Sequence, residues 1–201
     1  MVFHFIRTFV EIKCKAISPM QLYTEITPNP ATLKFITDRI LLPEGTADFP
    51  NSELAEQSLL AKKLFQFRFV SSVFIGRNFV TITKLEEFKW EDLIPVVKDA
   101  IRAFLESGQP VVSQITTATY TSDADDSEIV RKIKQLIDEN VRPAVAMDGG
   151  DIVFKGFEEG VVKLQMMGSC QGCPSSTATL KAGIQGLLTR MIPEVKEVES
   201  V

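Results

Sequence analysis

The chain has 201 residues, 45% of them hydrophobic and 24% charged, with a formal net charge of −4. That composition excludes a disordered, collagen-like or mucin-like chain, and its acidic balance removes any bulk electrostatic case for nucleic acid or an anionic membrane. No stretch of about 20 residues lacks charges or several polar groups, so no transmembrane helix is expected. With a single histidine, His4, the chain cannot carry a Ser-His-Asp triad or a His-rich zinc site in its body.

Residues 1–20 have apolar character, but Arg7, Glu11, Lys13 and Lys15 interrupt any signal-peptide core. They read as an extension, either a presequence or a segment upstream of a start at Met20. Residues 21–108 read as one α+β unit. Leu22–Ile26 and Thr32–Ile36 have strand composition and flank a turn at Thr27-Pro28-Asn29-Pro30. Asn51-Ser52-Glu53 offers a helix cap before Leu54, Leu60, Leu64 and Phe65 at near-helical spacing. Ser72–Ile75 and Phe79–Thr83 read as a hairpin around Gly76-Arg77-Asn78, whose Gly and Asn suit positive φ. A helix is expected from Trp90 to Leu105, with Gly108 placed for a left-handed cap.

Residues 109–126 are rich in Thr, Ser and Asp and lack a helical period, so they read as a linker that leaves the two halves independent. Residues 127–201 read as a second unit in the order α-β-β-α-β. Asp125 and Glu128 suggest a capping box. Ile129, Ile133, Leu136, Ile137 and Val141 mark a helix that Arg142-Pro143 should close. Asp148-Gly149-Gly150-Asp151 reads as a turn. Ile152–Phe154 and Val161–Met166 form a hairpin around Gly156–Gly160. Leu180, Ile184, Leu187, Leu188 and Met191 line a last helix, and Val195–Val201 is strand-like. The fold class is therefore α+β, with two small domains, each a short and mainly antiparallel sheet packed with two helices.

Three cysteines do not make a disulfide framework. Cys14 is isolated, and Cys170-Gln171-Gly172-Cys173 is the pattern of a reducing compartment, where thiols bind metal or do chemistry. The pair lies between a strand and a helix. Gly168 and Gly172 allow tight backbone bends, and Pro174 suits the first helical position. Both thiols thus sit near a helix N-terminus, which favours thiolate. Two thiolates are half a ligand set, since zinc and the common iron–sulfur clusters take four. The simplest completion is a twofold dimer in which each chain supplies Cys170 and Cys173. Spacing alone leaves three readings open: an iron–sulfur site, a thiol–disulfide oxidoreductase with Cys170 as nucleophile, and a zinc-stabilised interaction module.

The C-terminal unit closely resembles the Nfu/NifU-like iron–sulfur cluster scaffold family through Arg142-Pro143, MDGGDIVF (147–154), MGSCQGCPSSTATLKAGIQ (167–185) and the terminal PEVKEVESV. The N-terminal unit resembles that family's N-terminal domain through TEITPNPATLKF (24–35), AKKLFQF (61–67) and VFIGRNFVTITK (73–84). The resemblance implies a non-enzymatic scaffold or carrier. Cys170 and Cys173 of two subunits would hold a [4Fe–4S] cluster and pass it to recipient apo iron–sulfur proteins. It also implies upstream assembly factors as partners and a homodimer in the holo state. Neither nucleic acid nor membrane is implied. The expected compartment is a bacterial cytoplasm, with a mitochondrial matrix as the alternative.

Overall fold

The computed structural model describes residues 20–112, 127–171 and 174–201. His4, Cys14, Asp125, most of the expected linker and Cys173 lie outside the described residues. The α+β class is borne out. In the N-terminal unit, five strands form one antiparallel sheet in the order β1-β2-β5-β4-β3: β1 (Leu22–Ile26), β2 (Thr32–Thr37), β3 (Ala47–Phe49), β4 (Val70–Ile75) and β5 (Phe79–Lys84). The helices α1 (Leu59–Leu64) and α2 (Trp90–Glu106) cover one face. Leu33, Phe35, Val73, Ile75, Val80 and Ile82 point into that core with Leu60, Leu64, Val97 and Ile101. Met20, set apart with the extension by its sequence, is buried in this core as well.

Local departures from the sequence expectations have local causes. The helix expected after Asn51 is split, because a 3-10 turn at Leu54–Gln57 stops at Ser58. Ser58 then caps α1, its hydroxyl accepting from the Ala61 N–H. Gly108 does adopt φ +70 just past α2, whereas neither Gly76 nor Asn78 takes a positive φ. Gly76 is there for space, since a Cβ would fall 2.4 Å from the Phe79 ring. The three-residue β3 has too little alternation to be legible.

The C-terminal unit pairs β6 (Gly150–Glu158) antiparallel to β7 (Val161–Gly168) and β7 parallel to β8 (Glu197–Ser200). The hairpin turns at Glu159 and Gly160, both at positive φ. Helix α5 (Pro174–Met191) makes the crossover that a parallel pair requires. Met191, expected on its buried face, is exposed, and Ile192 fills the core in its place. The first helix does not close at Pro143. It runs as α3 (Glu128–Leu136), a π-helical turn at Ile137–Val141, and α4 (Arg142–Met147). Its N-cap is Ser127 rather than Asp125. Ile133, Ile137, Val141 and Val145 are all buried at a constant spacing of four. On a plain α-helix that stripe would rotate about 40° per step away from the core. The wider π turn cancels part of that drift, and it restarts the helix so that Pro143 falls in a first turn, where its missing N–H costs nothing.

The two units are packed together, contrary to the independence their linker suggested. The pleat of the N-terminal sheet gives it a second buried face. On that face Lys34 of β2 sits opposite Thr81 of β5, and Thr81 opposite Phe74 of β4. Ile36, Phe74 and Phe79 form a cluster there with Met167 of β7. Polar residues on a strand usually mark the solvent side, yet Thr81 is 1% and Lys34 7% exposed. Replacing Phe74, itself 1% exposed, by Ala is expected to lower stability by about 3–5 kcal/mol. Because the ring touches both units, the loss should be accompanied by amide chemical-shift changes at Met167 and Gly168, measured by NMR alongside denaturant unfolding.

Candidate metal centre

Strand β7 ends at Gly168, whose φ of +65 turns the chain out of the sheet. The turn closes with the Gln171 N–H donating to the Gly168 carbonyl at 3.1 Å. Cys170 follows in that turn, and α5 begins at Pro174 as the sequence suggested. A second turn lies against the first. Gly150 pairs with Gly168 across the β6–β7 ladder, and Gly149 takes φ +83. The two turns are tied by the Ser169 N–H to the Gly149 carbonyl at 3.3 Å and by the Ser169 hydroxyl to the Asp148 carbonyl.

The glycines let the backbones touch. A Cβ on Gly168 would lie 2.7 Å from the Gly149 carbonyl oxygen and 2.9 Å from the Phe74 ring. A Cβ on Gly150 would lie 2.6 Å from the Met167 carbonyl oxygen and 3.0 Å from the Cys170 Sγ. Gly150 therefore makes room for the thiol itself. Cys170, placed between a strand and a helix as the sequence suggested, is 6% exposed and belongs to the same core cluster as Ile152, Leu164 and Ile184. That burial argues against an exposed nucleophile.

The N-terminal unit reaches both turns. Asn29 Nδ2 donates to the Ser169 carbonyl at 3.3 Å, and Thr81 Oγ1 to the Gly149 carbonyl at 2.7 Å. Lys34 Nζ donates to the carbonyls of Ala146 and Met147. Asp48 accepts a hydrogen bond from the Gly168 backbone, while its buried Oδ1 has no partner among the described residues. Burial pushes the Asp48 carboxyl up to about 6, against the pull of the Gly168 bond. Asn29, Asp48 and Thr81 carry no local motif; only the fold brings them here.

Other polar and sulfur side chains of the C-terminal unit are structural. Asp151 is buried and saturated: Arg142 Nε and Nη2 bind its two oxygens at 2.9 and 2.8 Å, and Thr46 Oγ1 donates at 2.7 Å. The turn at 148–151 is thus an ion-paired, glycine-walled support for the cysteine turn. Met166 and Met167 are both buried, the first in the unit's own core and the second between units. Lys163 pairs with Glu158 and Lys181 with Glu197 at the surface.

Fold and turn define a class, a two-unit α+β protein whose Cys170 turn, the first half of a CxxC sequence, leaves a strand ahead of a helix and is walled by glycines from the neighbouring turn. Family models match this chain twice: "Scaffold protein Nfu/NifU N terminal" over residues 22–108 and "NifU-like domain" over residues 133–199. The human protein named NFU1 iron-sulfur cluster scaffold homolog, mitochondrial, is 46% identical over 183 residues, which is 90% of this chain and 72% of that relative. The Drosophila sechellia protein of the same name is 48% identical over 90% of this chain and 65% of its own length. The Arabidopsis thaliana NifU-like protein 5, mitochondrial, is 46% identical over 90% and 67%. The chain belongs to the Nfu/NifU iron–sulfur cluster scaffold family. A solution structure of a NifU-like protein from Saccharomyces cerevisiae aligns over 55% of this chain and 96% of its own, with 26% identity and a TM-score of 0.44. The expected bacterial cytoplasm finds no support here, since these relatives are named as mitochondrial.

Two measurements probe this geometry. Gly150→Ala would drive a methyl into the Met167 carbonyl and the Cys170 sulfur, and is expected to cost about 1–3 kcal/mol in denaturant unfolding. Asp48 has a raised folded-state pKa, so its protonated form is favoured by folding. Its contribution is full below its ordinary value of 3.8 and is lost as pH rises through about 6. Asp48→Asn is therefore expected to stabilise the protein at pH 7, by up to roughly 3 kcal/mol, and to flatten stability against pH between those values; chemical denaturation at several pH values checks both.

Proposed function

We propose that the protein carries a [4Fe–4S] cluster as cargo, held by Cys170 and Cys173 of two chains, and delivers it to apo iron–sulfur proteins. The observation that carries this reading is the cysteine turn itself. Cys170 sits just past the end of β7, against Gly150, and Cys173 follows three residues later, before Pro174 opens α5. Family membership supplies the cluster as the cargo; the count of thiolates supplies the dimer, since four ligands per cluster and two per chain require two chains. Handover then proceeds by exchange of these thiolates for those of the recipient. The site performs no catalytic turnover.

The organisation expected from the sequence fits this role. Residues 21–108 contact recipients or upstream assembly factors, 109–126 link, and 127–201 bind the cluster. The mitochondrial relatives favour the mitochondrial matrix as the compartment, and among the described residues no helix is long and apolar enough to cross a membrane. Cys170→Ser and Cys173→Ser are each expected to abolish stable cluster binding after anaerobic reconstitution, read as iron per chain and as the broad absorption of thiolate-ligated iron. Cys170→Ser should also cost stability, because it places a hydroxyl in a core position. Full iron occupancy in either variant would remove that residue from the ligand set.

A further inference from the structure

We propose that the N-terminal unit is a clamp that holds the cysteine turn in a thiol-in state, and that cluster loading requires the clamp to release. The inference rests on Cys170 as a cluster ligand. A sulfur shared with a second chain must reach the surface, yet here Cys170 is 6% exposed and lies in the aliphatic core of its own unit. To present the sulfur, the turn at 168–170 must move.

That turn is pinned from both sides. Within its own unit, Ser169 bonds to the carbonyls of Asp148 and Gly149. From the other unit, Asn29 holds the Ser169 carbonyl, Asp48 holds the Gly168 backbone, and Phe74 lies so close that Gly168 tolerates no Cβ. Lys34 and Thr81 hold the partner turn at 146–149. All five residues come from the second face of one sheet or the loops and edge strand beside it. They contact mainly backbone, so the clamp grips the shape of the turn and leaves the thiol chemistry untouched.

The clamp also has a built-in weakness. Closing it buries Asp48 Oδ1 without a hydrogen-bond partner among the described residues. Such an atom disfavours the closed state and regains water when the units part. A second copy of this chain, approaching the cysteine turn to complete a four-thiolate site, then competes with the N-terminal unit for the same turn. A ligand that binds only the released state shifts the population toward it.

The test follows the thiol without metal. In the full chain with Cys14→Ser and Cys173→Ser, Cys170 alone reacts with N-ethylmaleimide. Asn29→Asp removes the donor to Ser169 while keeping the acceptor for the Ala31 N–H. Lys34→Met removes the two donors to 146 and 147. Asn29→Asp is expected to raise the labelling rate roughly fivefold, the factor for one lost hydrogen bond, Lys34→Met, which loses two, by more, and the double variant most. In the background that keeps both cysteines, the same changes should speed cluster uptake. Parent labelling rates in folded variants would overturn the clamp, as would faster labelling with parent uptake rates. Faster labelling with no cluster in any protein, the parent included, would leave the clamp standing and remove the ligand reading. If neither variant folds, urea decides in the single-cysteine parent. Labelling through clamp release should depend on urea far less steeply than global unfolding does, and equal slopes would overturn the proposal.

Discussion

The close approach of two backbone turns, 148–151 and 168–170, is the constraint on which the rest of this structure depends. Three glycines make it possible, two by left-handed backbone and all three by leaving out a Cβ that would strike a neighbour. Once the turns touch, Ser169 can bond back to 148 and 149. Cys170 can tuck its sulfur against Gly150, and β6 can begin in register with the end of β7. The Arg142–Asp151 ion pair, with Thr46 on the same carboxylate, fixes the far side of the first turn to α4. Such a saturated pair is costly to break and holds position well.

The same constraint explains why the halves meet. Flat, glycine-lined backbone is a surface onto which a sheet face can settle, with Phe74 over Gly168 and Thr81 over Gly149. The polar groups on that face are not solvent-side decoration. With Asn29 they hydrogen-bond the carbonyls of Ala146 and Met147 at the end of α4 and those of Gly149 and Ser169 in the two turns. The architecture thus couples the N-terminal sheet to the segment that bears the cysteines.

Much of this was legible in sequence. Strand β1, helix α2, the Gly108 cap, Pro174 at the start of α5 and the C-terminal element order follow from period, turn chemistry and caps, all of them local. The continuation of the first C-terminal helix past Pro143 was not legible, because a π turn is set by the need to keep Ile133, Ile137, Val141 and Val145 on one core. Nor were the inter-unit contacts. Asn29 and Ser169 are 140 positions apart, and nothing in either neighbourhood announces the other. The glycines at 149 and 150 were visible as a turn, but their second duty, space for Thr81 and for the Cys170 sulfur, exists only once the chain is folded.

What the proposed function stands on is a cluster shared by two chains through Cys170 and Cys173. Its most direct measurement is sedimentation of matched apo and anaerobically reconstituted samples, with iron counted in each after small thiols have been removed. Mass is expected to double on reconstitution, with one [4Fe–4S] cluster per two chains, and to fall back on chelation. A holo monomer that keeps a complete cluster without added thiols would contradict the shared cluster.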